Sequence, residues 1–221
     1  MVLPAASEPS PESISATVQA LRNGSLGILP TDTVYGVVAD IRCDKAVKAL
    51  YEAKEKDPKE PLQLLFPSSR EALRSYARLS PDAIRLVDGL GPGPWTIITP
   101  AVEGWTSPAL AGGQTVGVRM PPVATLQMVL DSLGAPLAAS SANRHGDPSS
   151  TTCAQAIASL GEYCEVALDD GPTPHGIDST VVDCSVSPPR ILREGALPAG
   201  TVTKFLGIAE IEVVSSAGAR K

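Results

Sequence analysis

The chain has 221 residues, of which 43% are hydrophobic and 4% aromatic, and a formal net charge of −6. That length suits one domain with tails, the apolar content suits an aliphatic core, and the charge argues against holding nucleic acid through a broad basic surface. Four cysteines without a CxxC pair and two isolated histidines (His145, His175) argue against structural zinc. No run reaches the roughly 18 apolar residues of a membrane span, and Met1–Pro11 lacks the features of a signal peptide, so a cytoplasmic, reducing setting is expected.

In chain order, residues 1–10 read as a flexible, small and polar tail. Ser10-Pro11-Glu12 marks a helix start: a capping hydroxyl, a proline whose missing N–H costs nothing there, and an acid at the positive dipole end. Ile14, Val18 and Leu21 keep helical spacing up to Asn23-Gly24. Leu26–Leu29 is a strand candidate that runs into the hydroxyl-rich segment Pro30–Gly36. Asp44 caps a second helix bearing Val47, Leu50 and Tyr51, followed by the charged stretch Lys54–Pro61. Leu62–Phe66 is a strand candidate, and Ser69 and Ser80-Pro81 start two more helices. After the rigid turn Gly91–Pro94 come strand candidates Trp95–Thr99 and Val116–Met120, then a helix over Thr125–Leu133. Pro136–Ala139 is a strand feeding Ser140-Ser141-Ala142-Asn143, and Thr152–Leu160 is a helix. Glu165–Leu168, Ser179–Cys184 and Arg190–Arg193 are late strands. Residues 201–221 read as a tail with one strand candidate, Ile211–Val214, which leaves 11–200 for the main domain. The alternation predicts an α/β fold: one domain with a twisted mixed sheet flanked by helices.

In open α/β sheets, ligands bind in crevices outside strand ends. Three post-strand positions stand out here: Pro30–Gly36, Ser140–Asn143 and Ser179. Their hydroxyl and amide groups suit phosphate and carboxylate oxygens, and Lys54, Lys56, Arg119 and Arg193 supply cations. Plain alternatives stand beside each. Thr31 and Thr33 are ordinary turn residues, and Lys54, Lys56 and Lys59 interleaved with Glu55, Asp57 and Glu60 make a solvated loop. Arg119 and Arg193 are harder to set aside, because a cation inside a strand needs a partner or a wet face. Neither a Walker loop nor GxGxxG is present, so P-loop and Rossmann readings fail.

Six segments in register resemble the YrdC-like family from about Gly27 to Gly195. They are Pro30–Gly36, Gly91–Thr96, Thr115–Pro121, Ser141-Ala142-Asn143 with Gly146–Ser149, Asp178–Asp183, and Arg193-Glu194-Gly195-Ala196. The resemblance implies a YrdC-like fold in its short form and a threonylcarbamoyl-AMP synthase, a nucleotidyltransferase that joins L-threonine, bicarbonate and ATP, with Mg²⁺, and releases pyrophosphate. The product would pass to a downstream tRNA-modifying transferase. Carried over by position, Thr33, Arg119, Ala139 and Ser179 would contact threonine. Lys56, Thr115, Ser141, Asn143, Ser149 and Arg193 would line the ATP site, and Lys54 and Lys56 would be catalytic. No residue is expected to ligate a metal directly. The family's Lys-x-Arg is Lys54-Glu55-Lys56 here, and positions where many relatives carry Asn and His hold Glu60 and Leu65. The alternatives are a paralogue acting on another carbamoyl-adenylate, or a non-catalytic RNA-binding module with weak RNA contact.

Overall fold

The computed structural model describes residues 6–214. Strand β1 (Ala6–Ser7) precedes helix α1 (Pro11–Arg22), whose start is a reciprocal cap. The Ser13 N–H donates to Ser10 Oγ at 3.1 Å, and the Ser10 N–H donates to Ser13 Oγ at 2.9 Å. Two of the N–H groups that a helix start leaves over are thereby satisfied. Strands β2 (Leu26–Leu29) and β3 (Gly36–Asp40) follow, then α2 (Asp44–Ala53), β4 (Gln63–Leu65), α3 (Arg70–Leu73) and α4 (Pro81–Leu90). Next come β5 (Trp95–Pro100), β6 (Thr115–Arg119), α5 (Ala124–Leu133), β7 (Leu137–Ser141) and α6 (Cys153–Leu160). The chain continues through β8 (Cys164–Leu168), β9 (Thr180–Asp183), β10 (Arg190–Arg193), α7 (Ala199–Leu206) and β11 (Glu212–Val213).

All the strands join one mixed sheet in the order β1-β8-β2-β3-β7-β4-β6-β5-β9-β10-β11. The α/β fold with a mixed sheet and flanking helices is therefore as expected. Four local readings differ. β1 lies inside residues 1–10, read above as a flexible tail, and pairs with β8 in parallel, Ala6 with Ala167 and Ser7 with Leu168. β3 was not foreseen: Gly36–Asp40 is buried along its whole length, so it lacks the alternation that marks a half-exposed strand. Asp44 is the first residue of α2 rather than its cap, a place held by Cys43 without a side-chain cap bond. Residues 199–206, across the start of the expected C-terminal tail, form α7, and Phe205 lies so close to Gly89 of α4 that a Cβ there would meet its ring at 2.3 Å.

Register determines which residues share a face. Gly27 pairs with Val38, Val38 with Ala139, Ala139 with Gln63, and Gln63 with Gly117. Helix α1 covers this face at the β2 end, where Leu21 lies against Gly27. Around β4, β6 and β5 the same face is open. The opposite face is dry there: Leu64, Ala138, Val118, Ile97 and Val182 are buried in the core.

Candidate active site

The open part of the sheet forms the floor of a cleft of about 240 Å³. Small residues leave the room. Gly117 and Ala139 lie on the floor, and a Cβ on Gly117 would press on Thr96 Cγ2 at 3.3 Å. Thr115, Arg119, Gln63, Thr96, Ser141, Asp178, Ser179, Arg193 and Lys56 supply the polar lining.

The loop between β2 and β3 is folded by its own hydroxyls. Thr31 Oγ1 accepts from the N–H groups of Thr33 and Val34, each at 3.2 Å, and donates to the Val34 carbonyl at 2.6 Å. This turn presents Asp32 and Thr33 to β6. Arg119 Nη2 donates to Asp32 Oδ1 at 2.6 Å and to Thr33 Oγ1 at 2.8 Å. Arg119 is only 2% exposed, and burial pulls its pKa down while Asp32 pushes it back up. Asp32 Oδ2 and Arg119 Nε are sealed from solvent and have no hydrogen-bond partner among the described residues.

On the far wall, Arg193 Nε donates to the Ser179 carbonyl at 3.0 Å and Nη2 to Ser179 Oγ at 3.3 Å, while Nη1 lies 3.8 Å from Asp178 Oδ2. Ser149 Oγ donates to Asp178 Oδ1 at 3.1 Å. This wall can form because Gly195 lacks a side chain: a Cβ there would sit 2.1 Å from the Asp178 carbonyl oxygen.

The Lys-x-Lys segment divides. Lys56 lines the cleft and donates to Glu60 Oε2 at 2.6 Å. Lys54 is buried beneath Asn143, donating to its backbone carbonyl and, at 3.0 Å, to its Oδ1. Burial, aided by the charge of Lys56, lowers the Lys54 pKa to about 8. Asn143 Nδ2 in turn donates to the Asp147 carbonyl at 2.6 Å, bracing the loop after β7. Leu65 is sealed in the core, and His145 and His175 are exposed.

Of the residues singled out from the sequence, Lys56, Thr115, Arg119, Ala139, Ser141, Ser179 and Arg193 line one cleft. Thr33 and Ser149 stand one hydrogen bond behind it, through Arg119 and Asp178. Lys54 and Asn143 form a separate bonded pair that does not line it. Sequence reasoning missed Asp32, Gln63, Thr96 and Asp178 as parts of the site. The only signal for the first was an acid between two threonines, and Gln63 carried none beyond a polar residue in an apolar run.

The chain matches the Sua5–YciO–YrdC family, described as telomere recombination, over residues 19–195. It belongs to that family. It is 35% identical to a Pyrococcus abyssi protein named threonylcarbamoyl-AMP synthase, over 85% of this chain and 55% of that one. A Bacillus subtilis protein of the same name is 31% identical over 88% of this chain and 56% of its own length. This chain thus spans little more than half of either relative. A Mycobacterium leprae relative is 34% identical over 91% of both chains. Among solved structures, the crystal structure of P. abyssi Sua5 complexed with L-threonine superposes with a TM-score of 0.88 at 32% identity, over 97% of this chain and 62% of that one. Escherichia coli YciO shares the fold at a TM-score of 0.77 and 22% identity, over 86% of this chain and 92% of its own. The Sua5–YciO–YrdC fold thus accounts for the sheet that carries the cleft.

Proposed function

We propose that this chain is an L-threonylcarbamoyl-AMP synthase, a cytoplasmic nucleotidyltransferase serving tRNA modification. The observation that carries the reading is the buried guanidinium of Arg119 in a small-floored cleft, at one end of β6 with Thr115 at the other, and with the further cations Lys56 and Arg193 in the lining. An α-carboxylate suits the first end and a triphosphate the second. The L-threonine bound to P. abyssi Sua5 and the names of the relatives support the same assignment.

In this reading Arg119 takes the threonine carboxylate, Thr33 holds Arg119 in place, and Ala139 and Ser179 bound the amino-acid pocket. The amine nitrogen bonds to the bicarbonate carbon, water is expelled, and the ammonium proton passes to solvent. A carbamate oxygen then bonds to the α-phosphorus of ATP while the bond to the pyrophosphate oxygen breaks. Lys56, Thr115, Ser141 and Arg193 position the nucleotide; Ser149 acts through Asp178, and Lys54 through Asn143. The chain's part is orientation and charge stabilisation rather than covalent chemistry. Among the described residues there is no cluster of three or more His, Cys, Asp or Glu fit to hold a metal, and Asp178 is the one carboxylate lining the cleft. Mg²⁺ fits here as an ion carried on the nucleotide phosphates, where it would neutralise charge. The product would go to a separate tRNA-modifying transferase.

The Lys56–Glu60 pair, which occupies a cleft cation with a carboxylate, favours a second reading: a paralogue that handles another carbamoyl-adenylate. Pyrophosphate release from ATP, Mg²⁺ and bicarbonate, measured with each of the twenty amino acids, separates the two. A requirement for both threonine and bicarbonate is expected. Release with another amino acid, or with none, would sink the synthase reading.

A further inference from the structure

Gln63 is a polar side chain of the cleft floor to which the roles above give no task. Its hydrogen bonding has a direction. Arg193 can only donate, and its Nη2 donates to Ser179 Oγ at 3.3 Å. Ser179 Oγ and Thr96 Oγ1 lie 2.9 Å apart, and Thr96 Oγ1 donates to Gln63 Oε1 at 2.8 Å. A hydroxyl has one proton, and that of Thr96 is committed to Gln63, so Ser179 must donate to Thr96. The protons therefore run from Arg193 through Ser179 and Thr96 to Gln63. The chain ends on the carbonyl oxygen of the Gln63 amide, which turns the amide NH₂ away from Thr96. Among the described residues that nitrogen has no hydrogen-bond partner, and it is not among the sealed-off polar atoms. It is a pair of unused donors in the cleft.

Register places these donors. Gln63 pairs with Gly117, midway along β6 between Thr115 and Arg119 on the same face. Each lies two residues away, about 7 Å along the strand. The donors thus stand between the carboxylate end and the nucleotide end, where the proposed reaction builds its carbamate.

We infer that the Gln63 amide NH₂ donates to the bicarbonate-derived carbamate oxygen and positions the carbamate for attack on the α-phosphorus. The inference rests on the synthase reading. It also means that Ser179, whose proton is spent on Thr96, offers the amino acid only an acceptor.

Two variants distinguish this role from mere bracing of Thr96. Gln63→Glu keeps the length and the acceptor for Thr96 but loses the donors and adds a negative charge. Gln63→Leu loses both functions without adding charge. If Gln63 holds the carbamate, Gln63→Glu should raise the bicarbonate KM by about tenfold or more, the scale of a hydrogen bond to a charged group. Gln63→Leu should raise it less, and threonine binding measured by calorimetry without bicarbonate should match wild type in Gln63→Glu, which keeps the acceptor that directs the Thr96 and Ser179 protons. If Gln63 only braces Thr96, the order reverses: Gln63→Glu behaves as wild type and Gln63→Leu is the impaired variant. That result, with wild-type protein binding threonine and releasing pyrophosphate, overturns the inference and leaves the synthase reading standing. Wild-type protein that binds no threonine overturns both.

Discussion

A guanidinium sealed inside a sheet is tolerable at position 119 because Asp32 meets it, yet the pair is only half made. One nitrogen and one oxygen are bonded at 2.6 Å, and Nε and Oδ2 are left unpaired. Asp32→Ala would strand a buried cation, and an unfolding free energy lower by about 3–5 kcal/mol is expected in denaturant titration. Arg119→Ala would disturb fold and pocket together, so the cleaner functional probe is Arg119→Lys. It keeps the charge and loses the fork, and threonine binding should weaken by about 2–4 kcal/mol. Unchanged threonine binding would remove Arg119 from the pocket. Lys54 makes a separate case through its proton. Burial lowers its pKa from 10.5 to about 8, so between those values the unfolded chain binds the proton that the folded chain has released. Stability then rises with pH across that window, and the cost of the buried charge is fully present below it. Measured against Lys54→Met, wild type should gain stability from about pH 8 to 10.5. Over the same rise ATP affinity should fall, because the neighbourhood of the cleft loses a positive charge. A flat difference between the two proteins would show that the Lys54 proton is not linked to folding.

At the scale of elements, the site depends on how closely β10 and its following turn approach the start of β9. A Cβ on Gly195 would lie 2.1 Å from the Asp178 carbonyl oxygen and 2.7 Å from the Ser179 carbonyl carbon. Both are backbone atoms, so no side chain can swing aside. Gly195→Ala should cost about 2 kcal/mol in thermal or denaturant unfolding, and should weaken threonine binding by displacing Ser179 and Arg193. Gly200→Ala on α7 is the control: nothing lies within 4 Å of its added Cβ, and a neutral or stabilising result is expected. Equal behaviour of the two variants would sink the packing argument. The same contrast explains what could be read in advance. β2 and β10 have the bounds their apolar runs suggest, because punctuation by Gly, Asn and Pro delimits them. β3 was hidden by uniform burial, and α7 by Gly200 and two threonines that lower its helical propensity; its helix is backed by the contact of Phe205 with Gly89. Arg119 and Arg193 stood out because charge inside a strand is conspicuous. Asp32 and Gln63 did not, because what matters about them is a partner distant in sequence, Arg119 for one and Thr96 for the other.

For the whole molecule, the balance of charge is −6, while the cleft presents Lys56, Arg119 and Arg193 against the single carboxylate of Asp178. The cations are not free. Lys56 is held by Glu60, Arg119 by Asp32, and Arg193 lies near Asp178. An anionic nucleotide must therefore compete with carboxylates already in place, and the most exposed of these is Glu60, whose side chain is 60% exposed. A pair with one exposed partner is worth about 0.2–1 kcal/mol, so Glu60→Gln should free Lys56 and tighten ATP binding by that amount. Raising salt should weaken ATP binding, since the partners meet through charge in a partly screened cleft. A polyanion too large for the cleft meets the rest of the surface, where acids outnumber bases. Titration with double-stranded RNA should accordingly show no binding that steepens as salt is lowered. A steep salt slope, of the size several phosphate contacts give, would mean that a basic stripe outside the cleft governs the molecule's encounters and would favour the RNA-binding alternative. With no such slope, recognition of anions stays confined to the cleft, where three cations sit beside acids, the exposed Glu60 among them being the one a substrate can displace.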